Sequence, residues 1–157
     1  MIVTANLLRN ERGSSIIEMA LAAPFLAALL IGMVDLSRGY SAKLQLEQAA
    51  QRTIEKIVQQ KSVVTDYTAH KAEAAMAAGV TVDAVTIDAW LECSADGQTW
   101  RRAASFSSVC ETSEPYYARY VEVDITKIYN PLFGTTYAGA NTDGTYTLRG
   151  IAGVRIQ

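Results

Sequence analysis

The most informative ionisable side chain in this sequence is that of Glu18, a single carboxylate at the start of a long apolar stretch. From Ile16 to Val34 no other residue is ionisable. A charged group inside a bilayer costs roughly 2.5 to 3.5 kcal/mol at the helix centre on insertion scales, and such groups usually have a function and a partner nearby. The pattern therefore predicts a partner for Glu18.

The sequence offers little material for an active site. His70 is the only histidine, and we expect it on the solvated face of an alanine-rich helix, which leaves neither a metal site nor a Ser-His-Asp arrangement. The carboxylates form no recognisable pair, and there is no glycine-rich phosphate loop. We therefore expect no enzyme activity and no cofactor or metal. Strand packing and a ligand-binding surface are both open for a set of C-terminal tyrosines: Tyr116, Tyr117, Tyr120, Tyr129, Tyr137 and Tyr146.

The two cysteines, Cys93 and Cys110, both follow the apolar stretch. An even pair outside a membrane predicts a disulfide formed in an oxidising compartment, and two unpaired buried thiols are the alternative. A bridge closing this loop would stabilise the domain by roughly 3 kcal/mol. The pair favours a position outside the cytoplasm for the C-terminal part of the chain.

The length of 157 residues allows one membrane segment and one modest domain. The apolar stretch matches the roughly 20 residues that a spanning helix needs. The formal charge of −2 argues against a nucleic-acid partner, because such a partner calls for a basic patch. Lys and Arg are nearly balanced on the two sides of the apolar stretch, so charge alone does not orient it.

A cleavable secretory signal is the competing interpretation of the N-terminal pattern. The apolar region of such signals is about 7 to 15 residues long and is followed by a cleavage site of small residues. Here the run is longer and leads into Asp35-Leu36-Ser37-Arg38, with Gly39-Tyr40-Ser41 as a weak alternative site. The length favours a membrane span.

The helix is predicted to continue beyond the membrane. Residues 40–61 contain no Gly or Pro and are rich in good helix formers. One helix of about 45 residues, near 65 Å long, would be apolar all round in its lower half and amphipathic in its upper half. An apolar stripe at three- and four-residue steps marks the upper half: Leu46, Ala50, Ile54, Ile57 and Val58.

The C-terminal part of the chain predicts a short helix and four strands. The helix covers Asp66–Ala78, is capped by Thr65 or Asp66, and ends at Gly79. Alternating apolar residues predict strands over residues 85–92, 116–129 and 146–156, and a further strand is predicted over residues 98–102, with turns at Asp96-Gly97 and at residues 141–144. We therefore predict an α+β fold in which the upper half of the long helix covers a small antiparallel sheet.

Residues Arg12 to Pro24, with the sequence RGSSIIEMALAAP, resemble the opening of TadE-like proteins. These are minor pilins or pseudopilins of the tight-adherence branch of the type IV pilus machinery, and the resemblance extends over residues 12–54. In that family a prepilin peptidase cuts after the glycine, which implies a leader ending at Gly13 and a mature N-terminus at Ser14. The resemblance also implies a type IV pilin-like fold.

The resemblance assigns Glu18 to assembly, since related pilins pair this carboxylate with the free amine of a neighbouring subunit. Snorkelling of Glu18 to the lipid headgroups is the alternative. Pro24 lies at a depth where similar pilins carry a proline, and it is predicted to kink the helix. The kink could ease extraction from the bilayer or packing in a filament, or it could simply be tolerated.

The predicted organisation is a leader (1–13), a transmembrane helix (14–36), its amphipathic continuation (37–62) and an extracytoplasmic α+β domain (63–157). The resemblance implies a bacterial inner-membrane protein with a cytoplasmic N-terminus. Its implied partners are the prepilin peptidase, the major pilin, other minor pilins and the pilus assembly platform. The alternative is an uncleaved, membrane-tethered binding or adhesion module.

Overall fold

The computed structural model describes residues 12–60, 66–103, 105–134, 136 and 138–156, with the backbone alone for residues 12–14. It begins with one helix, α1 (Arg12–Gln59), whose 48 residues run without interruption through Pro24. At 1.5 Å per residue this helix is about 72 Å long. The predicted long helix is confirmed. Most of the predicted leader (residues 1–11) and the predicted cap Thr65 lie outside the described residues.

A four-stranded antiparallel sheet forms the body of the domain. Its strands are β1 (Val85–Ser94), β2 (Arg101–Arg102), β3 (Tyr116–Tyr129) and β4 (Tyr146–Arg155). Their order in the sheet is β2-β1-β3-β4, and all three neighbouring pairs are antiparallel. The predicted α+β class and antiparallel sheet are therefore confirmed.

The strand predicted over residues 98–102 is wrong for its first three residues, because β2 contains only Arg101 and Arg102. The cause is the side chain of Asp96, which accepts hydrogen bonds from the N–H groups of Gln98 and Thr99, both at 2.8 Å. These two amides are consequently committed to a turn and do not pair with β1. The turn also contains Gly97 at φ 72°, as the Asp-Gly signal predicts.

The second helix, α2 (Thr68–Ala78), begins two residues later than predicted and ends where predicted, at Gly79. Gly79 has φ 63°, and its N–H caps the last turn. Asp66 lies outside the helix, but its carboxylate accepts a 2.9 Å hydrogen bond from the N–H of Thr68. A short 3-10 turn, Val82–Ala84, then leads into β1.

The core lies between the upper half of α1, the inner side of α2 and one face of the sheet. Four residues of the predicted stripe on α1, namely Leu46, Ala50, Ile54 and Ile57, are buried, and so are Val121, Val123 and Ile125 of β3. Val58 is 42% exposed, so its predicted burial is wrong. It lies just beyond one edge of the stripe, and the buried face extends to the other side, where Ala49 and Thr53 are buried.

The helix approaches the sheet very closely at Gly150 of β4. A Cβ atom added there would lie 2.5 Å from the carbonyl carbon of Leu46 and 2.7 Å from the backbone nitrogen of Glu47. No side chain fits in that space, so glycine permits direct contact between the backbone of α1 and β4. This contact fixes the height at which the domain packs along the helix.

Candidate assembly site and membrane junction

The apolar segment of α1 projects beyond the domain, and its large side chains are exposed. Exposed fractions are 72% for Ile16, 75% for Phe25 and 69% for Met33. This helix is long and apolar enough to cross a membrane. The segment requires an apolar environment that the described part of the chain does not provide, which agrees with a membrane span.

Glu18 lies near the free end of this segment, and its side chain is exposed. It makes no ion pair with any side chain that the structure describes. Glu18 lies seventeen positions before Asp35 on the same helix, which places the carboxylate about 25 Å below the domain. The domain of the same chain is therefore too far away to supply a partner for this charge.

Gly13 and Ser14 lie in the first turn of α1, which begins at Arg12. The first turn of a helix has N–H groups without intrahelical acceptors, and its hydrogen bonds fray readily. Glycine is also the poorest helix former apart from proline. The peptide bond between Gly13 and Ser14 is consequently in a part of α1 that opens readily.

Asp35 marks the junction between the apolar segment and the domain. Its side chain is only 3% exposed. The carboxylate accepts hydrogen bonds from the N–H groups of Leu132 at 2.8 Å and Phe133 at 3.3 Å. The hydroxyl of Tyr129 donates to the backbone carbonyl of Asp35 at 3.0 Å. Asp35 therefore fastens the end of β3 and the following loop to the helix, a role that its sequence position just after the apolar run did not reveal.

An apolar cavity of about 330 Å³ opens beside this junction. The helix contributes Leu36, Gly39 and Tyr40 to its lining, and the domain contributes Tyr129 and Tyr146 among others. The ring of Tyr129 packs against the helix at Gly39, where an added Cβ would be in ordinary contact with the ring at 3.5 Å. Two tyrosines of the predicted set therefore pack the junction.

The structure joins Cys93 and Cys110 in a disulfide, with the Cα atoms 5.7 Å apart. Cys93 is fully buried at the end of β1, next to the turn organised by Asp96. Hydrogen bonds from the backbone of Thr99 and Gln98, and from the hydroxyl of Ser94, hold the pKa of Asp96 well below its ordinary value of 3.8. The bridge and the turn together fix the edge of the sheet farthest from the junction.

His70 is buried, which corrects its predicted exposure. It shares the inner face of α2 with Ala74 and Ala78, at steps of four residues, and is only 8% exposed. Its Nδ1 atom has no hydrogen-bond partner among the described residues. No group of His, Cys, Asp or Glu that could hold a metal occurs within the part of the chain that the structure describes.

The outer face of the sheet carries a packed aromatic pair. Trp90 stacks on Tyr120 with ring centroids 5.5 Å apart, and the guanidinium of Arg102 lies 4.5 Å from the centroid of Trp90. Because β1 lies between β2 and β3, these two neighbours cover opposite sides of the indole. The arrangement favours packing over a ligand platform. Tyr116 and Tyr117 are exposed, and Tyr137 lies outside the described residues.

The fold and the junction define a class of α+β protein with one long N-terminal helix. The first part of this helix is an exposed apolar segment, and its second part packs against an antiparallel sheet. Residues 13–54, which form most of α1, match the family model described as TadE-like protein. The resemblance to the TadE-like family is confirmed over this segment. The family is structural and associated with the tight-adherence (Tad) pilus, and it is not known for enzymatic activity. No curated protein and no solved structure matches the chain.

Proposed function

We propose that this chain is a membrane-anchored minor pilin or pseudopilin that takes part in assembly of an adhesive tight-adherence pilus. The observation that carries the proposal is the TadE-like match, which begins at Gly13 and covers the apolar segment and the stripe above it as far as Ile54. Residues 14–36 would cross the bacterial inner membrane with the N-terminus in the cytoplasm. The disulfide-bonded domain would then lie in an oxidising extracytoplasmic compartment.

The first step of this function is cleavage after Gly13 by a prepilin peptidase. A protease needs an extended backbone, so the first turn of α1 must open before the cut. The absence of a side chain at Gly13 and the weak hydrogen bonding of that turn both favour this opening. Cleavage would remove residues 1–13 and leave a free amine on Ser14, four residues before Glu18.

The second step is pairing between subunits. The domain lies about 25 Å from Glu18 along the helix. We propose that the Ser14 amine of a neighbouring subunit neutralises this carboxylate within the apolar environment, where an unpaired charge is costly. Such a pair would also set the stagger between subunits, and a kink at Pro24 would serve extraction from the bilayer or packing among helices. Major pilin, other minor pilins and the assembly platform are the proposed partners.

The experiment that tests maturation is to measure the intact mass and N-terminal residue of the protein from its native membranes, with and without active prepilin peptidase. A chain that starts at Ser14 only when the peptidase is active supports the proposal. A chain that still starts at Met1 with the active peptidase contradicts it and favours an uncleaved, membrane-tethered binding or adhesion module. Gly13→Leu provides a second check, since it should block the mass change.

A separate experiment tests Glu18. Glu18→Ala should leave membrane insertion intact, because it removes a charge from an apolar segment, and it should impair piliation. Ser15→Ala is the matched control, since it truncates an exposed polar side chain less than one turn away. Normal piliation in cells with Glu18→Ala as the only copy would remove the assembly role from this carboxylate.

A further inference from the structure

The loop after β3 exposes large apolar side chains at the level where α1 leaves its apolar segment. We call residues 131–134 the junction loop. Within it, Leu132 is 57% exposed and Phe133 is 51% exposed, although their N–H groups are held by the buried carboxylate of Asp35. The backbone of the loop is therefore held in place, while its two largest side chains are more than half exposed.

The height of the junction loop follows from the geometry of the helix. Asp35 is the first residue after the apolar run that ends at Val34. Side chains on a helix lean toward its N-terminus, so the carboxylate of Asp35 lies over the last turn of the apolar segment. The amides of Leu132 and Phe133, bound to that carboxylate, must lie at the same height. This height is the boundary between hydrocarbon and water when residues 14–36 span a bilayer.

The apolar surface of the helix adjoins the junction loop, because Leu36 and Pro131 line the same cavity. Met33 and Leu36 of α1 are 69% and 62% exposed, respectively. Tyr40, one turn above, is 65% exposed, and tyrosines are enriched at membrane interfaces, where the ring is apolar and the hydroxyl is wet. A loop that continues the surface of a spanning helix meets the same solvent as that helix, which is lipid.

We propose that Leu132 and Phe133 insert into the interfacial region of the leaflet on the domain side of the membrane. Asp35 is then a positioning residue that holds the junction loop at lipid depth, and the domain is fixed relative to the bilayer by the loop as well as by α1. The ligand is the phospholipid surface itself. This inference rests on the proposed span of residues 14–36, and the test below distinguishes failure of the loop insertion from failure of the span.

The test uses the full chain reconstituted into phosphatidylcholine vesicles that carry brominated acyl chains. Phe133→Trp introduces a fluorophore at the loop, and Val109→Trp is the control, since Val109 is 89% exposed beside the disulfide. The native Trp90 pairs with Tyr120, nine residues along β3 from Tyr129, so it lies about 30 Å above the junction. Trp90 and the second native tryptophan, Trp100, contribute the same background to both variants and to the parent.

Brominated lipid should remove most of the emission that Phe133→Trp adds, and that emission should be shifted to the blue. The emission added by Val109→Trp should not change. Adding Asp35→Ala to Phe133→Trp should reduce the quenching, because the loop amides lose their acceptor. If the Phe133→Trp emission is not quenched in a chain that resists alkaline carbonate extraction, the inference is wrong. The loop then contacts water, a second copy or another protein instead of lipid. If alkaline carbonate extracts the chain from the vesicles, the proposed membrane span is itself wrong.

Discussion

Replacing Gly150 with alanine is expected to force α1 away from the sheet. The new Cβ would lie 2.5 Å from the carbonyl carbon of Leu46, whereas ordinary contacts begin at 3.4 Å. The obstacle is backbone, so no rotamer change relieves it, and the helix must move by roughly 0.9 Å. A gap of about 0.5 to 1 Å removes a quarter to a half of the attractive energy of each dispersion contact. Overpacking of this kind typically costs about 1 to 3 kcal/mol.

Gly153→Ala is the matched control for this prediction. It changes the same residue type on the same strand, but its Cβ would meet only ordinary contacts of 3.6 to 3.9 Å. It should be neutral or should stabilise by about 0.5 kcal/mol, because alanine restricts the unfolded chain. Thermal unfolding in detergent, followed by tryptophan fluorescence, should give a midpoint about 10 °C lower for Gly150→Ala. Equal midpoints for the two variants would refute the close-contact argument.

Three further predictions concern the domain. Hydrogen bonding lowers the folded-state pKa of Asp96, so its stabilisation is present above the ordinary value of 3.8 and is lost as the pH falls through the folded pKa. Urea unfolding of Asp96→Asn should therefore show a deficit at neutral pH that shrinks below pH ~4, and a constant deficit would contradict the assignment. Reducing the Cys93–Cys110 bridge should lower the unfolding free energy by about 3 kcal/mol, measured as the difference between urea curves with and without reductant; unchanged curves would show that the bridge contributes nothing. His70→Leu should not destabilise, because it removes a buried Nδ1 that has no partner among the described residues, and a loss above about 1 kcal/mol would reveal a partner such as bound water.

Regular periodicity made the main elements predictable from the sequence. The bounds of β3 were predicted to the residue, because alternating Val121, Val123 and Ile125 face a core and Pro131 prevents continuation. The long helix was predictable because helix formers follow an apolar run without a break. These signals are local, so they need no knowledge of the tertiary structure.

Side-chain contacts across long sequence separations were not predictable in the same way. Asp35 lies 97 residues before Leu132, and no periodic pattern connects them. His70 was expected on the solvated face of α2, yet it faces the core because α2 is packed through its line of alanines. A polar residue on an alanine-rich helix does not by itself indicate which face is solvated. The shortened β2 had a local signal, since an Asp-Gly turn can claim the amides that follow it.

Glu18 and Asp35, the carboxylates at the two ends of the apolar segment, differ in how their charges are stabilised. This difference indicates different roles for the two residues. Asp35 is buried and accepts hydrogen bonds from the chain's own backbone, so its charge is used within the molecule to set the position of the domain. Glu18 is exposed on a helix whose apolar surface needs a water-free environment, and about 25 Å of helix separate it from those donors. A carboxylate in such surroundings is stable only with a counter-charge, a protonated form or access to headgroups. The proposed cut after Gly13 creates one amine per chain at that same end of the helix, so maturation by itself would supply a counter-charge for each Glu18 of an assembly.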